Sequence, residues 1–331
     1  MSAISKSAIL DIISRATNIR EVSRKSYVNV MNGIGNLSHT WFGAYPYNID
    51  SLLLKLSEET ENKHTLKLRY STLAVVLKQM TAAERNKYFT ATDGDVYEKV
   101  LDAVKKIGDE VQESYVQQKM TDNEKRKWEQ WPAVERVWVK KMTYPTIPKD
   151  FDSKVLFTVQ EYALVGLYTV LPPVRNDYRT IRVNEAECTN YIKFDTNKHT
   201  ATIVLNEYKT SKKYGPINLQ IVCGQSSKHK LLYEALKDLT TARKKINDEY
   251  LFAPQRGGSA PLTGPNYSQL LTSIYQRFLG KPLGSQMIRK IYLSYIQKDE
   301  PTLVEKRNTA AAMGHSTGMQ ALYRRLPEGS K

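Results

Sequence analysis

Cysteine is nearly absent: Cys188 and Cys223 are the two present in 331 residues. Two cysteines supply neither a disulfide scaffold nor a metal framework, and they fit a reducing, intracellular compartment. Long apolar runs are missing as well. The longest, Ala163 to Leu171, has nine residues, whereas a membrane-spanning helix needs about 20, so no membrane partner is expected. The opening MSAISKSAILDIISRATNIR lacks the apolar core of a secretion signal, because Asp11, Ser14 and Arg15 interrupt it. Sixteen glycines and thirteen prolines are too few for a collagen-like or proline-rich filament. No internal repeat or low-complexity tract is present. No carboxylate cluster or His/Cys spacing suits a metal, and no cofactor is expected.

Acid is in short supply. Asp plus Glu number 34 against 49 Lys plus Arg, a net charge of +15 and an isoelectric point near 9.5. Such an excess suggests a polyanionic partner, and the readings are nucleic acid foremost, an anionic membrane surface, or a basic protein with no specific polyanion. The remaining composition, 41% hydrophobic and 25% charged, is that of a globular protein, and the length suits two domains.

The first half reads as helical. Ile4, Ala8, Ile9, Ile12 and Ile13 recur at helical spacing. A second segment begins near Arg20 and carries Val22, Tyr27, Val30 and Met31 up to a break expected at Gly33-Ile34-Gly35. Helices follow at Ile49 to Leu56, Leu66 to Met80 and Asp95 to Met120, the last with Val96, Val100, Val104, Ile107 and Val111 on one face. Met120 to Met142, dense in charge and carrying Trp128, Trp131 and Trp138, reads either as a connector or as a first helix of the second domain.

From residue 145 the texture changes. A helix is predicted from Lys154 to Val170, stopped by Pro172-Pro173. Strands are predicted at Arg179 to Val183, Thr200 to Tyr208 and Ile217 to Val222, with a basic turn from Lys209 to Gly215 between the last two. Helices are then predicted at about 227–246, 267–279, 286–297, 302–313 and 318–325, and Arg256 to Pro261 reads as a loop. The expected fold class is α+β, mainly α: a helical domain over 1–125, then a domain over 126–331 with a small antiparallel sheet among helices.

Five residues could carry chemistry. Arg175 stands just past a broken helix in Leu-Pro-Pro-Val-Arg-Asn-Asp-Tyr. Lys209 is at the hairpin turn, and Arg289 lies inside an apolar helix. His315 sits in a Met-Gly-His-Ser turn, where Gly314 reads as a C-cap. Tyr323 is on the short helix that follows. Each is ordinary by itself: a surface arginine, a solvated lysine, a common Gly-His turn, one tyrosine of twenty-one.

Their order and spacing are not ordinary. The set resembles that of the tyrosine recombinases (the phage-integrase family), which carry Arg, Lys, His-x-x-Arg, His or Trp, then Tyr. Arg175 to Arg289 is 114 residues and Arg289 to Tyr323 is 34, both suited to the family. Ser23-Arg24-Lys25-Ser26-Tyr27-Val28 and Leu66-Lys67-Leu68-Arg69-Tyr70-Ser71 resemble helices of the DNA-clamping core-binding domain, so the likeness spans nearly the whole chain. The Pro-Pro-x-Arg-Asn-Asp-Tyr and Lys-Thr-x-Lys forms are similar to those of recombinases from large eukaryotic DNA viruses and their mobile elements.

The resemblance implies that Tyr323 is the nucleophile that forms a 3′-phosphotyrosyl bond. Arg175 and Arg289 would clamp the scissile phosphate, Lys209 would be the general acid, and His315 would hydrogen-bond the phosphate or relay a proton. Lys25, Arg69, Lys212 and Lys213 become candidates for DNA contact. Double-stranded DNA is the implied partner, with a homo-oligomer, a tetramer, on DNA and a monomer possible off it.

The departures are specific. Gln286 stands where the family has the first histidine, and glutamine cannot shuttle a proton. Tyr178 occupies the usual acidic position three after the first arginine, with Asp177 adjacent. The spacing from His315 to Tyr323 is one residue short of many bacterial members. Eight residues follow Tyr323, fewer than the tail many recombinases lend to a neighbour. Gln286 and the tail lean toward a type IB DNA topoisomerase, which shares the chemistry. The core-binding half and the 34-residue span lean toward a recombinase. A catalytically decayed DNA-binding protein is the third reading, against which stands the presence of all five residues.

Overall fold

The apolar spacing of the first 120 residues folds as helices. The computed structural model describes residues 6–42, 46–145, 147–185, 189–255, 260–297 and 300–326. Ile4, Cys188 and residues 256–259 of the expected loop lie outside them. The chain forms two compact units, Met1–Gln117 and Gln118–Lys331.

The first unit comprises α1 (Lys6–Ser14), α2 (Glu21–Phe42), β1 (Tyr47–Asn48), α3 (Ile49–Glu58), α4 (Lys63–Gln79), α5 (Ala82–Tyr88), β2 (Phe89–Thr90) and α6 (Val96–Val116). The two short strands pair in parallel. Its core collects Ile12 and Ile13 from α1, Leu52 and Leu56 from α3, Leu73 and Leu77 from α4, and Val100 and Ile107 from α6. Start signals are local. Asn48, Asn62 and Asp95 accept hydrogen bonds from the first-turn amides of their helices, and Thr81 with Glu84 forms a reciprocal cap, each worth about 1 kcal/mol. The expected break at Gly33 and Gly35 does not occur, and α2 runs through both. A Cβ at either position would meet nothing within 4 Å, so these glycines weaken the helix without interrupting it.

The second unit comprises α7 (Asp122–Lys127), α8 (Trp131–Arg136), a π-helical turn (Val137–Lys141), α9 (Ser153–Val170), β3 (Tyr191–Asp195), β4 (Thr200–Leu205), α10 (Ser211–Tyr214), β5 (Ile217–Val222), α11 (Ser227–Lys245), α12 (Gly264–Leu279), α13 (Ser285–Ile296), α14 (Leu303–Ala312) and α15 (Thr317–Tyr323). The nine-residue apolar run is the buried end of α9, the central helix, against which α11 and α12 pack. Gly166 lets α9 approach closely: a Cβ there would come within 2.9 Å of Trp138 and Leu232. Trp131 and Trp138 belong to this core, so the tryptophan-rich segment is part of the second unit rather than a free connector. No described helix is long and apolar enough to cross a membrane.

The sheet is antiparallel in the order β3-β4-β5, with Ile203 opposite both Ile192 and Leu219. Two strand expectations need correction. The predicted strand at Arg179 to Val183 is instead a 3-10 turn over Asp177–Thr180 followed by isolated bridges from Arg182 to Tyr191 and Tyr250. The strand missed is β3, and β4 stops at Leu205 rather than Tyr208.

Candidate active site

Arg175 emerges from the end of α9, where Pro172 and Pro173 fix the turn. The Tyr168 hydroxyl donates to the Arg175 carbonyl, so the backbone on which the guanidinium is carried is tied to α9. Asn176 braces the same turn from two sides. Its Nδ2 donates to Ser268 Oγ on α12 at 2.7 Å, and its Oδ1 accepts from Ser285 Oγ at the start of α13 at 2.8 Å. The turn bearing Arg175 and the helix bearing Arg289 are thereby joined.

Arg289 is fully buried. Its Nη1 donates to the carbonyls of Pro173, at 3.0 Å, and Met313, at 3.3 Å. Its Nε and Nη2 are buried with no hydrogen-bond partner among the described residues. Burial pulls its pKa down from the ordinary arginine value, and neighbouring Arg175 adds to this. An unpartnered buried donor costs about 1–3 kcal/mol, more when charged, so the pair of free donors marks a place for an anion.

His315 follows Gly314, which takes φ +66° to turn the chain out of α14. The His315 amide donates to Ala310 O at 3.1 Å. Its Nδ1 lies 3.1 Å from Ser316 O, which puts the ring proton on Nδ1 and leaves a lone pair on Nε2. That Nε2 is buried without a partner among the described residues. Burial first, and then the charges of Arg289 and Arg175, push the imidazole down to about 4, so it is neutral at pH 7.

Tyr323 ends α15, whose N-cap Ser316 accepts from the Met319 amide. Its ring stacks on His315 at 5.7 Å and 20°, and the Arg289 guanidinium lies 5.2 Å from its centroid. Burial acts to raise the phenol. The charges of Arg289 and Arg175 outweigh it, so the net pKa lies below the ordinary value. Every other described tyrosine with a displaced pKa is displaced upward by burial, Tyr292 and Tyr208 included.

Four of the five sequence candidates therefore converge: Arg175, Arg289, His315 and Tyr323. Lys209 is exposed on the turn after β4, and its flanking residues contact the Gly314 turn. Gln286 is exposed one helical turn before Arg289. Lys212 and Lys213 are exposed on α10. In the first unit Arg69 is half-buried with Nη1 3.5 Å from Leu56 O, and Lys25 is exposed but paired with Glu21 at 2.7 Å.

Two further features were not assigned from sequence. Asp177, which the sequence places beside the expected acidic position, faces both arginines. Burial raises its pKa, and the charges of Arg175 and Arg289 oppose that rise. Beyond the tyrosine, Arg325 is buried and its Nε and Nη2 each lie 3.2 Å from the Glu124 carboxylate, which Lys290 also meets. Burial opposes ionisation of Glu124, but these two cations and the Thr121 amide push it down to about 2. Leu326 N donates to Gln118 O at 3.1 Å, and Gln118 Nε2 to Ala321 O at 2.9 Å. Only long-range pairing reveals this anchor, since Glu124 and Arg325 stand 201 residues apart.

Among solved structures, the XerH site-specific recombinase bound to its difH substrate in a pre-cleavage complex is similar over 99% of this chain and 83% of that one, with TM-score 0.57 and 14% identity. The chain has the tyrosine-recombinase fold. XerH in a post-cleavage complex with a palindromic difH substrate matches over 98% and 82%, with TM-score 0.56 and 12% identity. The Tn1549 transposon integrase bound to transposon end DNA matches more loosely, over 96% and 95% at TM-score 0.44 and 13% identity. At these identities the likeness is one of tyrosine-recombinase fold. No protein-family model matches the sequence, and no curated protein is similar to it.

Proposed function

We propose that the protein is a site-specific DNA recombinase or integrase that breaks and rejoins DNA through a 3′-phosphotyrosyl intermediate, without a metal ion or ATP. The observation that carries this reading is the Tyr323 ring stacked on His315 with the Arg289 guanidinium 5.2 Å from its centroid, beside buried Arg289 donors that lack partners among the described residues. Ionising an ordinary tyrosine at pH 7 costs about 4 kcal/mol. The two cations lower that cost and are placed to stabilise the extra charge of a pentacoordinate phosphorus. Arginine suits this because its planar fork grips two phosphate oxygens and stays charged.

In the proposed step the Tyr323 oxygen bonds to phosphorus and the bond to the 5′ oxygen breaks. The phenolic proton passes to His315 Nε2, whose proton affinity rises once a phosphate anion enters; the imidazolium then donates to a phosphate oxygen. Lys209 gives a proton to the departing 5′ oxygen. Rejoining reverses these transfers, and the retained phosphotyrosyl bond supplies the energy, so no nucleotide is consumed. Gln286 contributes at most a hydrogen bond. The helical first unit is proposed as the DNA clamp, with Arg69 among its contacts, and the assembly on DNA as a homo-tetramer.

The test is covalent trapping on supercoiled plasmid with a chelator and no ATP, followed by denaturation and peptide mapping. A DNA adduct on Tyr323, lost in Tyr323→Phe while DNA binding remains, is expected. An adduct on another residue overturns the assignment of the nucleophile. Fast relaxation of any plasmid places the activity with type IB topoisomerases. No adduct on plasmids or on candidate integration sites overturns the enzymatic reading.

A further inference from the structure

Lys209 is the member of the set whose side chain is exposed, yet its chemistry demands a defined position. The residues on either side of it are not loose. Thr210 Oγ1 donates to Gly314 O at 2.7 Å, across 104 residues of sequence. Tyr208 lays its ring against Gly314, where a Cβ would come within 2.8 Å of the ring and 3.1 Å of Ile217 Cδ1. The turn is also closed on itself. Ser211 N donates to Tyr208 O, Lys213 N and Tyr214 N donate to Thr210 O, Gly215 N donates to Ser211 O, and the Tyr208 hydroxyl donates to Gly215 O at 2.7 Å. Residues 208–215 thus form one small body, and the Thr210 hydroxyl fastens it to the carbonyl immediately before His315.

We propose that Thr210 is a positioning residue for Lys209. Its hydroxyl ties the turn carrying the proton donor to the turn carrying His315, so that both address the same phosphate. The proposal rests on the recombinase reading. Threonine suits the task because its β-branch narrows χ1 and keeps the donor aimed. Thr210 touches no reacting atom. Its contribution is confined to the proton given to the 5′ oxygen as the Tyr323–phosphorus bond forms and the phosphorus–oxygen bond breaks.

That confinement supplies the test. Cleavage is timed with full-length protein on a duplex carrying a site mapped from the plasmid adducts, once with the natural 5′ oxygen and once with a bridging 5′ sulfur. Sulfur leaves as a thiolate and needs no proton. Thr210→Val is expected to slow cleavage of the oxygen substrate about tenfold, a share of the roughly 10²–10⁴-fold a general acid supplies. It should cleave the sulfur substrate at the wild-type rate with unchanged DNA affinity, and Thr210→Ser should recover most of the loss. Equal slowing on both substrates makes Thr210 merely structural and overturns the proposal, as does no slowing on either. Lys209→Ala slowed equally on both removes Lys209 as the acid, which is a failure of the underlying reading. A second measurement needs no substrate. In Thr210→Val the amides of Lys213, Tyr214 and Gly215 should exchange about tenfold faster, on the scale of one lost hydrogen bond, while β4 and β5 hold. Unchanged exchange overturns the tether itself.

Discussion

Two buried arginines in the second unit are treated in opposite ways. Arg243, at the end of α11, meets Asp248 at 2.5 Å and Gln160 Oε1 at 2.5 Å, and Gln160 also accepts from the Ala253 amide. Its charge is answered by a buried carboxylate. Arg289, equally buried, is given two carbonyls, a tyrosine and a second arginine. Asp177 faces it from a position where burial works against ionisation. Around Arg243 the charge meets a carboxylate, and one guanidinium nitrogen, Nε, lacks a partner among the described residues, whereas Arg289 leaves two such donors and has no described carboxylate at bonding distance. A buried charge left without its counter-charge is expensive to keep, and its presence beside a tyrosine whose pKa lies below the ordinary value supports the proposed site better than any one motif does.

Substitutions sharpen the contrast. Arg289→Met should reduce adduct formation by about 10³-fold or more, on the scale of a lost transition-state donor, while the melting temperature holds or rises. A clear fall in melting temperature would show that Arg289 is structural. Arg243→Met should do the reverse, costing about 3–5 kcal/mol because Asp248 is stranded, with the folded fraction still forming adduct. Urea unfolding and trapping on the same samples separate the two outcomes.

His315 extends the comparison to pH. Its folded pKa of about 4 lies below the ordinary 6.5. Below about pH 6.5 the unfolded chain takes up a proton that the folded chain refuses. Stability should therefore fall as pH drops from about 6.5 to about 4 and then level, by up to about 3 kcal/mol. His315→Gln should flatten that slope in urea titrations at pH 7 and 4.5; an unchanged slope would assign the acid sensitivity to other groups.

Surface cations give the smallest effects. Lys212→Gln and Lys213→Gln should each lower the slope of log affinity against log salt by about 1 if each meets a phosphate. Lys25→Gln should change it less, since Lys25 already faces Glu21. Titrations between low and moderate salt decide this, and equal slopes for all three would put Lys25 on the DNA.

Much of this was legible in the residues themselves. The alternation of Ile217, Leu219 and Ile221 gives a strand because its burial alternates too, and that of Ala201 and Ile203 does so until Val204 and Leu205, which are both buried. Ile181 and Val183 alternate as well and are buried, but their partners come from separate segments, so they make bridges and not a ladder. Tyr191–Asp195 is short and carries an exposed Lys193, which left it without a sequence signal. The site was legible as an order of residue types, and its closure was not. The hydrogen bonds of Asn176, the carbonyls of Pro173 and Met313, and the Glu124 anchor depend on tertiary pairing that no local pattern encodes.

The anchor at Glu124 changes what counts as the end of the molecule. By sequence, the eight residues after Tyr323 read as a short tail. By burial, Arg325 is core, and Leu326 is held by the first residue of its own unit. Trimming at Arg324 would leave Glu124 with Lys290 as its remaining cation and release the backbone two residues beyond the hydroxyl. Modification of the chain short of Leu326 is therefore, in its effect, modification of the footing of Tyr323.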